Sequence, residues 1–369
     1  MVELTMFEAG KGDFFWLTYG KEKNMHHILI DGGEKSASIL YRKTLLEIKN
    51  KGQIVDAIIF THIDNDHIIG ALQAINDMSE GELPVIQAVY FNTGNAVCRM
   101  QNLMKIKNPE EFPLLKNRIG QHSVKKAMSL LQILKAKRLN EVLKEYTIQG
   151  ECIFLSGGAE LDIISPDKEG LKNLALKWNK EILPMEKDGG QHRSNGRGMS
   201  EYEKNIEEFL DNTHDEDSSV TNRSSIAFIF QYESVKIAFL GDASPSVCIE
   251  GTKRFFPEGV EVDLIKLAHH GSGANISDEM LGVIKSQSYL LSTTGEKLSK
   301  YLWSRLVKGG RKSVVYCNYD WWKRIYCQKY FSDKDIEEYL KTKRLETRLI
   351  AYEGEKIKDG LWLYRTRRI

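Results

Sequence analysis

Apolar and polar side chains alternate with the period of a β-strand over residues 2–8, Gly10-Lys11-Gly12-Asp13 reads as a turn, and a second strand pattern fills residues 14–19. The chain therefore opens on a hairpin. A third strand pattern at residues 26–30 runs into Asp31-Gly32-Gly33, where two glycines permit a tight turn and close backbone approach. Residues 37–49 carry apolar positions at helical spacing, and residues 56–60 form a short apolar run with the character of a buried strand. Helical spacing returns from Ile68 to Met78. Between these last two lies Thr61-His62-Ile63-Asp64-Asn65-Asp66-His67, a polar cluster on a strand-to-helix turn.

Further along, residues 85–91 predict another strand, and residues 96–150 change to a lysine- and leucine-rich helical pattern. Met128, Leu131, Leu134 and Leu139 mark its apolar face, and Lys125, Lys126, Lys135, Lys137 and Arg138 its basic one. Two short strands are expected at 152–155 and 161–165. Residues 166–222 are polar and glycine-containing, with an acidic stretch at 211–217, and read as an insertion. A hairpin at 225–231 and 235–240 ends at Gly241-Asp242, and a buried strand at 263–268 ends at His269-His270-Gly271. Strands at 288–291 and 313–316, a helix between them, a helix at 332–340 and C-terminal strand segments complete the pattern.

Composition narrows the classes little. With 369 residues, a net charge of +1, 41% hydrophobic and 28% charged residues, the chain is ordinary for a globular protein, and any basic binding surface is local. No apolar run is long enough to span a bilayer, and Met1-Val2-Glu3-Leu4 enters a strand at once, so a cytoplasmic protein without membrane association is expected. Five scattered cysteines with no CxxC pair read as reduced thiols.

The chemistry lies in the strand ends. His62, Asp64, Asp66 and His67 put two imidazoles and two carboxylates within six residues, a set suited to zinc, manganese or iron. A turn that caps its helix through Asn65 or Asp66 accommodates one aspartate and one histidine, not four such residues. Asp31, Asp242 and His269-His270 share the same placement, directly after a buried strand. Residues just past strand ends gather on one rim of a sheet, so Asp242 and one of the paired histidines are expected to complete the site, with Asp242 bridging two cations.

Taken together, Gly10-Lys11-Gly12-Asp13, Leu29-Ile30-Asp31-Gly32-Gly33, Thr61 to Gly70, Asn222 with Ser224-Ser225, Phe239-Leu240-Gly241-Asp242 and Leu267-Ala268-His269-His270-Gly271-Ser272 resemble metallo-β-lactamase-fold hydrolases, and among them the ComEC-like branch. The resemblance spans most of residues 1–295. It implies an α/β fold, a four-layer αββα sandwich forming one domain over residues 1–369. A helical insertion at 96–150, a polar insertion at 166–222 and C-terminal α/β elements at 296–369 would be built onto it. It also implies two divalent metal ions, Zn²⁺ or Mn²⁺. His62 and Asp64 would serve the first, Asp66 and His67 the second, and Asp242 would bridge. His269 or His270 would complete the second site, with His269 favoured because it comes first after the strand. A metal-bridging hydroxide would be the nucleophile, oriented by Asp66, and Asp31 and Asn222 would stand behind the ligands.

The sequence departs from the family pattern twice. No histidine sits at a strand end between the first motif and Asp242; His122, His192, His214 and the weaker donor Asn92 are the candidates. A family His-Pro after the next strand is missing, and Lys297 or Lys300 is expected to contact substrate in its place. The expected function is a metal-dependent phosphodiesterase, most simply a nuclease with DNA or RNA as partner. Trp321-Trp322-Lys323-Arg324, the basic helix face and Arg365-Thr366-Arg367-Arg368 are the segments that would hold the strand. One alternative is hydrolysis of a small cyclic nucleotide, phosphoester or lactone. Another is a weakly active subunit of a bacterial defence complex, with protein partners.

Overall fold

The computed structural model describes residues 1–21, 24–101, 123–182, 201, 204–295, 298–323 and 329–365. Two twisted sheets face each other. Among the described residues the first has nine strands and the second eight. The first sheet is centred on Val2–Met6, Phe15–Lys21, Asn24–Ile30 and Ile54–Ile59. Val2–Met6 and Phe15–Lys21 form the antiparallel opening hairpin, and Ile54–Ile59 joins parallel to Asn24–Ile30 after the helix Ser38–Asn50. The second sheet holds the hairpin Ala227–Tyr232 and Val235–Phe239, then the parallel strands Leu264–Lys266, Ser288–Leu291, Ser313–Cys317 and Leu345–Leu349.

Three apolar cores account for the layering. Leu4, Leu17, Ile28, Phe228, Phe230 and Ile237 interlock between the sheets. Tyr41, Leu45, Ile68, Ile75 and Trp178 seal helices onto the outer face of the first sheet. Cys248, Leu281, Trp303 and Leu306 do the same for the second. The result is the αββα sandwich. Strands buried on both faces explain their near-continuous apolar runs.

Several elements differ from the sequence reading. The strand at 85–91 breaks into Val85–Ile86 and Val89–Tyr90. The 96–150 segment is not helix throughout: beyond the helices Gly94–Met100 and Ser123–Ala136 it supplies Leu143–Lys144 to the edge of the first sheet. The C-terminal strand Leu361–Arg365 lies parallel to Val2–Met6, and Glu355–Lys358 pairs with it, so the tail of the chain widens the first sheet. Of the helix expected at 332–340, one α-turn at Asp333–Asp335 leads into a wider turn at Ile336–Leu340.

Candidate metal centre

The opening turn follows strand Ile54–Ile59 and enters the helix Asn65–Asp77. Ile68, Ala71, Ala74 and Ile75 recur at helical spacing and anchor that helix in the core. This fixes Asp66 and His67 in its first turn. Asp64 is the residue before the helix, yet its side chain makes no capping bond. Its carboxylate instead accepts hydrogen bonds from Ser123 Oγ at 2.8 Å and Thr221 Oγ1 at 3.1 Å. Gly12 lets the 10–13 turn lie on the helix start, since a Cβ there would fall 1.5 Å from the Asp66 carbonyl oxygen. From the second sheet come Asp242, just past Val235–Phe239, and His269-His270, just past Leu264–Lys266.

Backbone strain concentrates here. Asp31, His269 and His270 all have left-handed φ values, 55°, 47° and 53°. Such conformations cost free energy in non-glycine residues and persist where surrounding contacts enforce them.

Histidine orientation follows from the bonds made by Nδ1. His67 Nδ1 lies 2.8 Å from Asp31 Oδ2, and His270 Nδ1 lies 3.0 Å from the Ser292 carbonyl oxygen. Both partners only accept, so the proton sits on Nδ1. Thr61 Oγ1 donates to Asp31 Oδ2 at 2.7 Å and therefore accepts from His62 Nδ1 at 3.0 Å. Each of the three rings thus turns an Nε2 lone pair inward. Those three Nε2 atoms and Asp242 Oδ1 are buried and have no hydrogen-bond partner among the described residues. Four orphaned polar atoms in one place represent a large desolvation cost unless something binds them.

The spacings suit a cation. Asp242 Oδ1 is 3.6 Å from His67 Nε2, and Asp242 Oδ2 is 3.8 Å from His62 Nε2, 3.8 Å from His269 Nε2 and 4.0 Å from His270 Nε2. Asp66 Oδ2 is 3.6 Å from His270 Nε2, and Asp64 Oδ2 is 3.8 Å from His62 Nε2. These separations exceed a hydrogen bond. They lie close to the roughly 3.4 Å between two donors on one tetrahedral metal with bonds of about 2.1 Å. Two three-donor groups result, His62–His67–Asp242 and Asp66–His67–His270. A third, Asp13–Asp31–His67, lies behind them. The donor set therefore fits divalent cations of the borderline class.

Electrostatics point the same way. Burial alone would raise the Asp242 carboxyl, but His67 and His270 outweigh it and hold it well below the usual range. Burial would lower His67, but Asp242 and Asp31 raise it well above an ordinary imidazole. Burial, reinforced by His67, lowers His62. Without a cation these groups share protons, which metal binding displaces.

Of the two histidines, His270 stands in a three-donor group with Asp66 and His67, whereas His269, the one favoured from sequence, faces Asp242 from outside those groups. The left-handed turn at 269–270 directs His270 toward Asp66 and leaves His269 at the mouth, 29% exposed. His269 Nδ1 is held by Asn275 Oδ1 at 3.0 Å and by Asp217 at 3.1 Å. Asn222 reaches this group, donating to Asp217 at 2.6 Å. Lys300 does not reach the site. It is fully buried, pairs with Asp335 at 2.7 Å and lies over the rings of Tyr330 and Phe331, because the helix Lys300–Val307 is buried on all sides. Lys297, His122 and His192 lie outside the described residues. His214 is exposed, and both amide atoms of Asn92 bind the backbone of Thr147, so neither is drawn into the centre. Trp321 is a core residue, stacked 3.9 Å from the half-buried Trp322, and Arg324 and residues 366–368 lie outside the described part.

Four participants were missed from sequence: Asp13, Lys266, Asp217 and Asn275. The signal for Lys266 was a lysine inside an apolar strand, where a charge is buried only with a partner. Asp13 stood in a turn that carried no other ligand-type residue, and Asp217 in an acidic stretch that reads as solvated loop.

No protein-family model matches the chain, and no curated protein matches it. Among solved structures it is similar to Zn²⁺-bound PqqB from Methylobacterium extorquens, at 9% identity over 95% of this chain and 98% of that one, with a TM-score of 0.39. It is also similar to the E377D mutant of CmlA β-hydroxylase, at 9% identity over 79% of this chain, with a TM-score of 0.34. The match spans 46% of the CmlA β-hydroxylase chain.

Proposed function

We propose that the protein is a hydrolase dependent on two divalent metal ions and that it cleaves phosphodiesters. The observation that carries this reading is the convergence of unpartnered His62, His67 and His270 Nε2 atoms on Asp242. His62, with Asp64 at its edge, and Asp66, His67 and His270 would hold one ion each, and Asp242 would stand between them. When bound, such a pair of cations activates water at neutral pH and offsets charge building on phosphorus. The chain's own contribution is to fix the donors: Asp31 holds His67, Thr61 holds His62 and the Ser292 carbonyl holds His270. His269, braced by Asp217 and partly exposed at the mouth, is the polar group best placed to meet a bound phosphate.

DNA or RNA is the substrate favoured by the resemblance of the sequence motifs to the ComEC-like branch. The burial of Trp321 removes one stacking surface from that argument, so a small phosphodiester is the second reading. Purified protein is incubated with Mn²⁺ and single-stranded DNA, double-stranded DNA, RNA or bis(p-nitrophenyl) phosphate. Cleavage of polymer that is lost in Asp66→Ala and His67→Ala supports a nuclease. Cleavage of the small ester alone supports the second reading. Metal uptake with no cleavage of any phosphodiester overturns both.

A further inference from the structure

The metal centre contains a cation of its own. Lys266 is the last residue of strand Leu264–Lys266 and is 1% exposed. Its ammonium donates to the Gly241 carbonyl oxygen at 2.8 Å, is in contact with the Asp13 carboxylate and lies 3.8 Å from Asp242 Oδ1. Asp13 in turn faces His270 Nδ1 at 3.5 Å and His67 Nδ1 at 4.0 Å. Asp13 also belongs to the third three-donor group, beside Asp31 and His67.

Two features single this lysine out. The first is charge. Asp13, Asp31, Asp64, Asp66 and Asp242 converge on the centre, and Asp217 stands against His269 at its mouth, so six carboxylates face it. Two divalent cations would offset four of these charges, and the ammonium offsets a fifth from within the protein. The histidines present lone pairs and add none. The second is position. Asp13 comes from the hairpin of the first sheet, whereas Lys266, Gly241 and Asp242 come from the second. The Lys266–Asp13 pair is therefore a tie across the sandwich between the two halves of the site.

We propose that Lys266 is a built-in third cation of this centre, a positioning residue that holds Asp13 and Asp242 together and offsets carboxylate charge that two divalent ions leave over. The inference rests on the two-metal reading above. A neutral side chain at 266 leaves the buried Asp13 carboxylate with only His270 and His67 facing it, which destabilises the metal-free protein most.

The test compares wild type, Lys266→Met, Asp13→Asn and the double variant, as full chains. Each is melted in chelator and in saturating Mn²⁺, and bound manganese is counted by native mass spectrometry. Lys266→Met should lower the metal-free melting temperature by about 4–6 °C, the scale of breaking a buried ion pair in a chain of this length. It should also enlarge the shift produced by Mn²⁺. Asp13→Asn/Lys266→Met removes both charges and should recover at least half of the loss. The inference is overturned if Lys266→Met responds to Mn²⁺ as wild type does, if the double variant is no better than the single one, or if wild type binds a third divalent ion. Wild type that binds no manganese overturns the two-metal reading itself, which is a separate result. Should Lys266→Met fail to fold without metal, the double variant alone decides: its folding in chelator supports the inference, and its failure overturns it.

Discussion

Replacing Asp31 by asparagine tests the orientation of His67 without changing the shape of the site. Asp31 is fully buried and accepts from Thr61 N at 2.7 Å, Thr61 Oγ1 at 2.7 Å and His67 Nδ1 at 2.8 Å. An asparagine keeps one carbonyl oxygen for the Thr61 amide. Its NH₂ group then faces Thr61 Oγ1 and the His67 Nδ1 proton, donor against donor. The imidazole escapes that clash by moving its proton to Nε2, which removes the lone pair aimed at Asp242. One charge-assisted hydrogen bond is worth about 1.5–3 kcal/mol. The loss of a carboxylate that orients a ligating histidine costs about 10–100-fold in metal affinity, or about 1.4–2.7 kcal/mol. The two routes agree. Zn²⁺ or Mn²⁺ affinity is measured by competition with a chromophoric chelator, with circular dichroism verifying the fold. An Asp31→Asn protein that is folded and binds metal within twofold of wild type would refute the assignment of His67 as a ligand held by Asp31.

Other outcomes follow from the same geometry. His67→Ala should remove at least one metal per chain and lower any hydrolytic rate by about 10²–10³-fold, read by metal analysis and steady-state kinetics. Gly12→Ala forces a Cβ against the Asp66 carbonyl and should cost about 1–3 kcal/mol together with metal occupancy, read by thermal melting and metal content. Lys300→Met breaks a buried pair with Asp335 and should destabilise by about 3–5 kcal/mol in denaturant titration while leaving metal content at the wild-type value. Metal-free stability should also depend on pH. Burial opposes charge on His270, but Asp13 and Asp242 outweigh it and raise its pKa from 6.5 to about 9. A raised folded-state pKa contributes stability that is complete below 6.5 and lost as pH climbs through about 9. The melting temperature in chelator should therefore fall across that window, and the metal-loaded protein, whose His270 Nε2 carries no proton, should not show the same fall.

The order of strands and helices could be read from period alone because most of these elements are amphipathic or buried on both faces. Residues 54–77 are the clearest case, a short apolar run passing into helical spacing. What period does not carry is the path of the chain past a strand end. The left-handed residues 269 and 270 set which imidazole faces Asp66, and nothing in His269-His270-Gly271 specifies a positive φ before the glycine. Lys266 and Asp13 were opaque for a related reason. Each is a single charge whose partner lies in the other sheet, and their wide separation along the chain hides the pairing. Lys300 shows the converse: a lysine near a motif reads as a substrate contact until the helix that carries it proves buried on every side.

The most direct test of the account is the number of divalent metal ions held by the purified chain. Metal content by inductively coupled plasma mass spectrometry, paired with native mass spectrometry of wild type and Asp242→Ala, gives that number. A two-metal centre requires two ions per wild-type chain and fewer than two in Asp242→Ala, because that carboxylate faces His62, His67, His269 and His270 alike. A wild-type chain that stays free of metal in excess Zn²⁺ and Mn²⁺, with its fold intact, would contradict it.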